Sequence, residues 1–296
     1  MTSSNPVLYQ RKGAYIPRVA AVHDLCGYGK CSLGTAIPVL SAAGCDVCPV
    51  PTSLFSAHTR FPIFYMHDTT SMLNDYLDAW IKEGVELDAI YSGFLGSAEQ
   101  VESIKRLYRE HPKALRIVDP VMGDDGILYP TYTKELCDKT RELVKDADVL
   151  TPNLTEAHIL TGMDYHGTDL SDAEVDAYLD AMIEMGAKAV VLKGVMRNDG
   201  TLRNFIAGRD FDRVEVAIEQ LPYMCHGTGD LFASAMLGAI MCGKGLRDAV
   251  QFASGFVRES MILTRYQPDN VARGVSFESI LGEVTELVPR PEVPRS

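Results

Sequence analysis

The sequence predicts a three-layer αβα protein, in which helices cover both faces of a mostly parallel sheet. Short apolar runs alternate with helical patterns along most of the chain, which is typical of this fold class. Glycines and polar residues follow the apolar runs, at the sheet edge where such folds bind ligands. The composition, 46% hydrophobic and 23% charged, is that of a chain able to bury a large core.

The first part of the chain alternates regularly. Apolar runs predict strands at residues 18–24, 45–52, 87–93 and 114–120. Between them, the spacing of apolar residues predicts helices at residues 32–44, 69–84 and 97–111. The first of these helices contains Pro38, which would kink it anywhere beyond its first turn or two.

The second part continues the pattern and then breaks it. Strands are predicted at 147–153 and 187–194, antiparallel strands within 201–221, and helices at 153–161, 171–185, 228–242, 246–264 and 276–287. No internal repeat or linker interrupts the chain. We therefore expect one domain over residues 1–296, with an N-terminal extension at 1–17 and a proline-rich tail at 288–296.

The charge and the apolar pattern exclude some classes of function. A formal net charge of −12 would repel nucleic acid and anionic lipid, so we expect neither as a partner. No apolar run is long enough to span a membrane, and the first residues do not resemble a signal peptide. The odd number of cysteines, seven, does not suggest a secreted disulfide framework, and we expect a cytoplasmic protein.

Two local patterns point to ligands only weakly. Cys26, Cys31, Cys45 and Cys48 suggest a four-thiolate zinc site, but the last two, three apart on a strand, face opposite ways. We expect buried thiols instead. The segment "GYGKCSLG" (27–34) fits neither the Walker A loop nor the dinucleotide fingerprint. Its glycines leave open a close approach of backbone to a ligand.

Two acidic segments suggest a magnesium site. "DPVMGDDG" places Asp119 at a strand end and Asp124 in a turn, while "TPNLTEAHIL" places Asn153 and Glu156 on the first turn of a helix. Carboxylate and amide oxygens are ligands suited to Mg²⁺. The alternative is helix capping by Thr151 or Asn153 with support from Glu156, and taken alone the second segment favours it.

The segment "HGTGD" (226–230) carries the sharpest prediction. Gly227 and Gly229 flank Thr228 and let backbone N–H groups converge at a helix N-terminus, which would form an anion hole. Asp230 beside it could accept a proton from an attacking hydroxyl. The alternative is an aspartate that only stabilises the helix, but the glycines and the uncharged helix behind favour a functional role.

Five segments together resemble the ribokinase-like superfamily, and specifically its pyridoxal (vitamin B6) kinase branch, over about residues 18 to 265. They are "FSAHT" (55–59), "YSGFLGS" (91–97), "DPVMGDDG" (119–126), "TPNLTEA" (151–157) and "GTGDLFAS" (227–234). The resemblance implies ATP-dependent phosphorylation of the 5′-hydroxymethyl group of pyridoxal, pyridoxine or pyridoxamine. It also implies Mg²⁺, a monovalent cation such as K⁺, and a homodimer.

The resemblance also implies a role for each matched residue. Asp230 would be the base, and the anion hole would be Gly227, Thr228 and Gly229. The nucleotide side would comprise Asp119, Asp124, Asn153, Glu156 and Lys193, with Mg²⁺ on Asp119 and Glu156 directly or through water. Lys193 stands where several relatives have a small hydroxyl residue. The vitamin would contact Thr59, Phe94 and either His23 or Asp24. Many members have serine at this last place, so an acid there makes pyridoxamine a reasonable expectation.

Two other functions stay open at this point. A hydroxymethylpyrimidine kinase of thiamine synthesis would share the fold, anion hole and base, but "FSAHT" belongs to the pyridoxal branch. A non-catalytic protein that binds pyridoxal phosphate would have no chemical need for Asp230, Asp119 and Glu156 together.

Overall fold

The computed structural model describes residues 5–289, and in this range it contains eleven strands. They are β1 (Arg18–Cys26), β2 (Asp46–Phe55), β3 (Met66–Asp68), β4 (Ala89–Ser92), β5 (Leu115–Val118), β6 (Gly123–Asp124), β7 (Ile127–Leu128), β8 (Val149–Leu150), β9 (Ala189–Met196), β10 (Thr201–Gly208) and β11 (Phe211–Glu219). Nine of them form one sheet, in the order β11-β10-β9-β8-β5-β4-β1-β2-β3, and β6 pairs with β7 in a separate hairpin.

The centre of the sheet is parallel and its edges are antiparallel. Every pairing from β9 across to β2 is parallel. The strands β10 and β11 extend one edge antiparallel, and β3 closes the other edge in the same way. The carboxyl ends of five adjacent strands, β9, β8, β5, β4 and β1, therefore lie along one rim of the sheet.

Ten helices accompany these strands within the described residues. They are α1 (Leu33–Ala42), α2 (Thr70–Lys82), α3 (Ala98–Glu110), α4 (Lys134–Val144), α5 (Leu154–Thr161), α6 (Asp172–Glu184), α7 (Thr228–Met241), α8 (Leu246–Thr264), α9 (Asn270–Arg273) and α10 (Leu281–Thr285). Among these helices none is both long enough and apolar enough to cross a membrane.

Two apolar cores lie on the two faces of the sheet. Successive residues of β1 alternate between them, because neighbouring side chains on a strand point to opposite faces. Ala20 and Val22 enter the core formed with α2 to α6, whereas Val19 and Ala21 enter the core formed with α1, α7 and α8. Helix α7 is buried along its whole length from Leu231 onward, as its lack of charge predicts. The predicted three-layer arrangement is confirmed.

The sequence prediction omitted some short elements. Strand β3 has three residues and the strands of the β6–β7 hairpin have two each, too few for any periodicity to be read. No helix is predicted at α4 either, although its buried residues have the spacing of one helical face and Thr133 caps it: Leu136, Cys137, Thr140, Leu143 and Val144. The predicted helix at 276–287 is shorter, with a 3-10 turn at Glu278–Ile280 followed by α10.

The N-terminal extension packs against the core formed with α1, α7 and α8. The Asn5 Oδ1 atom accepts a hydrogen bond from the Arg247 amide (2.8 Å) at the start of α8. The Arg11 guanidinium donates to the carbonyls of Ala43 (3.0 Å) and Gly44 (2.8 Å) after α1. Of the predicted proline-rich tail, residues 290–296 lie outside the described residues, and the single domain over 1–296 stays a prediction.

Candidate active site

Polar residues from five adjacent strands meet at the rim of the sheet. Asp24 lies near the end of β1, Ser92 ends β4, Asp119 follows β5, Asn153 follows β8 and Lys193 lies on β9. The Asp119 amide donates to the Ser92 carbonyl (2.9 Å), and Asn153 forms a parallel bridge with Lys193. The strand order therefore places these residues along one rim of the sheet, and their role in a single active-site cleft stays a prediction.

A buried ion pair lies at the centre of this rim. The Lys193 Nζ atom is 2.7 Å from Asp119 Oδ1, and the Thr151 hydroxyl donates to the same oxygen at 2.7 Å. Only 2% of the Asp119 side chain and 12% of the Lys193 side chain are exposed. Burial by itself would lower the pKa of Lys193, but the charges of Asp119 and Glu156 outweigh it and raise that pKa. The site thus contains a fixed cation.

The N-terminus of α5 is a complete capping box. The Asn153 side chain accepts from the Glu156 amide (2.8 Å), and Glu156 Oε2 accepts from the Asn153 amide (2.7 Å). Glu156 Oε1 also accepts from the Met122 amide (3.4 Å). Burial raises the pKa of Glu156 to about 8, against the opposing charge of Lys193 and with the help of Asp119. The capping alternative is thus present, and it leaves the carboxyl group buried at the rim.

The β6–β7 hairpin places a further carboxylate beside α5. Its turn residues, Asp125 and Gly126, both have positive φ angles, +50° and +77°, as a tight two-residue hairpin requires. The Gly126 amide donates to the Thr155 hydroxyl (2.8 Å) and so ties the turn to α5. Burial, with the neighbouring charge of Asp125, raises the pKa of Asp124.

The N-terminus of α7 is open, in contrast to that of α5. Gly227 caps the helix with φ +74°, and a Cβ atom at this position would lie 2.2 Å from the Lys30 carbonyl oxygen. No side chain caps this helix, so the first-turn N–H groups, including those of Thr228 and Gly229, are available to an anion. A Cβ atom on Gly229 would lie 3.8 Å from Lys193 Nζ, which places the fixed cation beside these donors.

Asp230 faces across the cleft. Its Oδ2 atom accepts a hydrogen bond from the Ser32 amide (2.9 Å), 198 positions away in the chain. Burial raises the pKa of Asp230 to about 7, the Ser32 hydrogen bond opposes this, and the charges of Asp119 and Asp24 add to it. An aspartate with a pKa near neutrality, held by one fixed donor, is suited to accept a proton.

Two residues proposed for one substrate contact have different surroundings. His23 is completely buried, edge-on to Tyr91 with ring centroids 4.2 Å apart, and it fills the space that a side chain at Gly93 would need. Asp24 is 4% exposed, and its charge is one of those that raise the pKa of Asp230. Position 23 therefore belongs to the core, and Asp24 is the one of the pair whose charge reaches Asp230.

The predicted vitamin contacts lie on a loop and in an aromatic cluster. Thr59 is half-buried in the turn after β2. The Phe94 ring is 8% exposed and packs edge-on against Phe55 and Tyr132, with centroids 5.8 and 5.7 Å apart. The glycine-rich loop 27–34 lies against the loop that contains Thr59. Its backbone at Gly29 closely approaches a protein side chain, that of His58, and not a ligand.

The sequence did not indicate Ser32 or the carbonyl of Lys30, and it indicated Thr151 only as a possible cap of α5, whereas its hydroxyl donates to Asp119. Ser32 adopts φ +49°, which a non-glycine residue seldom does, and its side chain gives no signal of that. Thr151 precedes Asn153 in a matched segment, so its place at the rim could have been inferred. The role of the Lys30 carbonyl depends on contact with Gly227, which only the folded chain reveals.

The phosphomethylpyrimidine kinase family model matches residues 35–275. This chain belongs to that family. A pyridoxine/pyridoxal/pyridoxamine kinase of Bordetella avium is 30% identical over 282 residues, covering 90% of this chain and 88% of its own. A pyridoxal kinase structure from Lactobacillus plantarum has a TM-score of 0.85 at 27% identity, covering 92% of this chain and 98% of its own.

A second solved structure bears on the ligand class. A Bacteroides thetaiotaomicron protein, crystallised in an orthorhombic form with pyridoxal, has a TM-score of 0.86 at 35% identity. The alignment covers 91% of this chain and 96% of that protein. The resemblance to the pyridoxal kinase branch and the ribokinase-like fold is confirmed, and the family member described here is a kinase.

Proposed function

We propose that this kinase transfers the γ-phosphoryl group of ATP to the 5′-hydroxymethyl group of a vitamin B6 vitamer. The observation that carries the proposal is the position of Asp230. It lies on the uncapped first turn of α7, its pKa is raised to about 7, and the Ser32 amide orients it. A carboxylate and an anion-binding turn at one point are what phosphoryl transfer to an alcohol needs.

In the proposed reaction each group has a separate task. Asp230 aligns the primary alcohol and accepts its proton as the oxygen attacks the γ-phosphorus. The N–H groups of Gly227, Thr228 and Gly229 receive the oxygens of the transferred phosphoryl group, where the helix dipole also favours negative charge. Lys193 adds positive charge beside them, since its ammonium lies next to Gly229.

Mg²⁺ fits the acidic residues of the rim. Asp119 lies close enough to Glu156 for its charge to raise the pKa of Glu156, and Asp124 lies on the neighbouring hairpin, although the three carboxylates do not converge within 4.8 Å of one another. A hard cation would relieve that repulsion. Both oxygens of Glu156 already accept backbone hydrogen bonds, which supports contact through water. When bound, Mg²⁺ would neutralise phosphate charge. A monovalent cation such as K⁺ is proposed from the resemblance alone.

The proposed vitamer contacts are Thr59, Phe94 and Asp24. We expect Thr59→Val to raise KM for the vitamer several-fold more than KM for ATP, because only the vitamer would lose a hydrogen bond to the hydroxyl. Steady-state kinetics with each substrate varied in turn would measure this. Equal effects on both KM values would remove Thr59 from the vitamer site. Pyridoxamine is the first vitamer to test, because Asp24 could attract its amine.

A hydroxymethylpyrimidine kinase is the second candidate, because the matching family model carries the name of phosphomethylpyrimidine kinase. The deciding experiment is ATP-dependent phosphorylation of pyridoxal, pyridoxine, pyridoxamine and hydroxymethylpyrimidine in parallel. We expect at least one B6 vitamer to have the highest kcat/KM. A clear preference for hydroxymethylpyrimidine would overturn the proposal. Vitamer-dependent ATP turnover would exclude the non-catalytic binding protein, and the absence of phosphorylation of all four alcohols would leave only a binding role.

We also propose a homodimer that works in the cytoplasm. The homodimer is supported by large apolar side chains that are exposed around the β3 edge of the sheet: Leu54, Ile63, Phe64 and Tyr65, with Ile63 87% exposed. Light scattering on the purified chain and on Ile63→Lys would test the dimer. A monomeric wild-type chain would contradict it.

A further inference from the structure

Two thiols and a carboxylate meet near Asp230. Asp24 Oδ2 is 3.2 Å from the Cys26 sulfur, and that sulfur is 3.3 Å from the Cys31 sulfur. One ligand atom from each residue lies within 4.8 Å of the other two, the only such trio between residues 5 and 289. Asp24 and Cys26 share a face of β1 because they are two apart, and the glycine-rich loop brings Cys31 back to them.

This trio differs from the four-cysteine pattern in the sequence. Cys45 packs into the core near α7 and α8, and Cys48 packs against the opposite core, so neither joins Cys26 and Cys31. The expectation against a four-thiolate zinc site agrees with these positions. A carboxylate, Asp24, takes the place of the missing thiols.

The spacing of the trio suits a tetrahedral metal ion. Zinc binds thiolate sulfur at about 2.3 Å and carboxylate oxygen at about 2.0–2.2 Å, so two ligands of a tetrahedron are about 3.5–3.8 Å apart. The present separations of 3.2 and 3.3 Å need to widen by only a few tenths of an ångström. We propose that Asp24, Cys26 and Cys31 bind one zinc-type divalent ion, with water as its fourth ligand.

The charge balance agrees with a bound cation. Asp24 is 4% exposed, and its side-chain contacts are with the Cys26 thiol and Ser32, neither of which is positively charged. A buried carboxylate without a cation is costly. A bound metal ion would supply the missing positive charge and replace the thiol protons.

A disulfide is the competing chemistry for the same two sulfurs. It would require them to close from 3.3 Å to about 2.05 Å, with a thiolate as the attacking group. Metal binding needs less movement, since the ligands only move apart slightly.

The position of the site ties it to the proposed base. Cys31 directly precedes Ser32, whose amide holds Asp230. A metal on Cys31 would therefore fix the segment that orients Asp230. A metal ion on Asp24 would exclude the contact proposed between Asp24 and a vitamer amine, so these two roles compete. The rest of the substrate proposal does not involve the metal, and either can fail without the other.

The test is titration of the reduced, metal-stripped full-length chain with Co²⁺ in the absence of ATP and Mg²⁺. We expect one Co²⁺ per chain, with the visible bands of tetrahedral cobalt and a near-ultraviolet thiolate-to-cobalt band, both abolished by added Zn²⁺. Cys26→Ser and Cys31→Ser should weaken binding roughly 100-fold or more, since even changes outside the ligand shell cost 10–100-fold. Cys48→Ser, a half-buried thiol elsewhere, should bind like the wild type.

Several outcomes would overturn the proposal. The first is Co²⁺ binding without a thiolate-to-cobalt band, and the second is Co²⁺ binding that is unchanged in both serine variants. The third is a disulfide: protein kept free of reductant has lost two of its seven thiols, and after reduction it takes up no metal. If a serine variant does not fold, the band in the wild type and its loss in Asp24→Asn decide the question.

Discussion

The first turns of α5 and α7 carry an acid at the same helical position and use it differently. Glu156 is the third residue after its cap, Asn153, and Asp230 is the third after its cap, Gly227. Glu156 turns back and accepts from its own cap residue, whereas Asp230 accepts from Ser32 on a distant segment. Glu156 thus helps to cap α5, whereas Asp230 leaves the first-turn N–H groups of α7 uncapped.

The difference comes from the cap residue. Asparagine offers a side-chain acceptor and an amide that together close the capping box. Glycine offers no side chain and adopts a positive φ, so the first-turn N–H groups of α7 stay available. The comparison teaches that the residue three positions before an acid indicates whether the acid serves the helix or the cleft.

The largest expected effect is that of Asp230→Asn. We expect kcat to fall roughly 10²–10⁴-fold, the usual contribution of general acid–base catalysis, because the amide cannot accept the proton. The melting temperature and ATP affinity should change little, since no side chain caps α7 and the Ser32 amide can still donate to the amide oxygen. Steady-state kinetics, thermal unfolding and ATP binding measure the three quantities. A near-normal kcat would reduce Asp230 to a helix-stabilising residue.

The open turn itself can be broken by Gly227→Ala. The added methyl group would meet the Lys30 carbonyl at 2.2 Å in a left-handed conformation, so the turn must shift. We expect kcat to fall roughly 100-fold, because a displacement of about 1 Å at a reacting group has that effect. The matched control is Gly255→Ala on α8, where a methyl group meets nothing within 4 Å. Equal kcat values for the two variants would show that the turn tolerates movement.

Lys193 couples Asp230 and Glu156, because its positive charge lowers the pKa of both carboxyl groups. With Asp230 as base, activity requires the carboxylate, so kcat/KM should fall as the pH drops through about 7. Lys193→Met should raise the pKa of Asp230 further and move this limb to higher pH, by about one pH unit. Lys193→Arg keeps the charge and should leave the limb near its wild-type position. Coincident pH profiles for wild type and Lys193→Met would exclude the coupling.

The smallest effect is expected at the closed turn. Glutamine also serves at the third position of a capping box, so Glu156→Gln should leave the melting temperature nearly unchanged. If Glu156 supports Mg²⁺, the same variant should change the Mg²⁺ dependence of kcat several-fold. Asn153→Ala should instead cost about 1 kcal/mol of unfolding free energy, measured by denaturant titration. An unaltered Mg²⁺ titration in Glu156→Gln would leave that residue with the cap alone.

The sequence predicted the sheet and the rim because both depend on local signals. Apolar runs and the glycines and acids behind them are visible without knowing the fold, so Asp119, Asn153 and Asp230 could be named in advance. The burial of His23 could not be predicted. His23 and Asp24 point to opposite faces of β1, and the β1–β2 register shift beside them hides from the sequence which of the two is buried in the core. The role of Ser32 depends on a backbone conformation that serine rarely adopts, and the approach of Cys26 to Cys31 depends on the path of a loop.

The hydrogen bond between Asp230 and Ser32 has a consequence for biosynthesis. A chain emerging from the ribosome makes the glycine-rich loop early but must wait nearly two hundred residues for the acid that the loop orients. The bonds from Lys30 to Ser276 and from Arg247 to Asn5 span even longer stretches. Such distant pairings form slowly, because loop closure must precede them. All eleven strands between residues 5 and 289 are thus synthesised before Asp230, and the base cannot be oriented until α7 has docked against the glycine-rich loop.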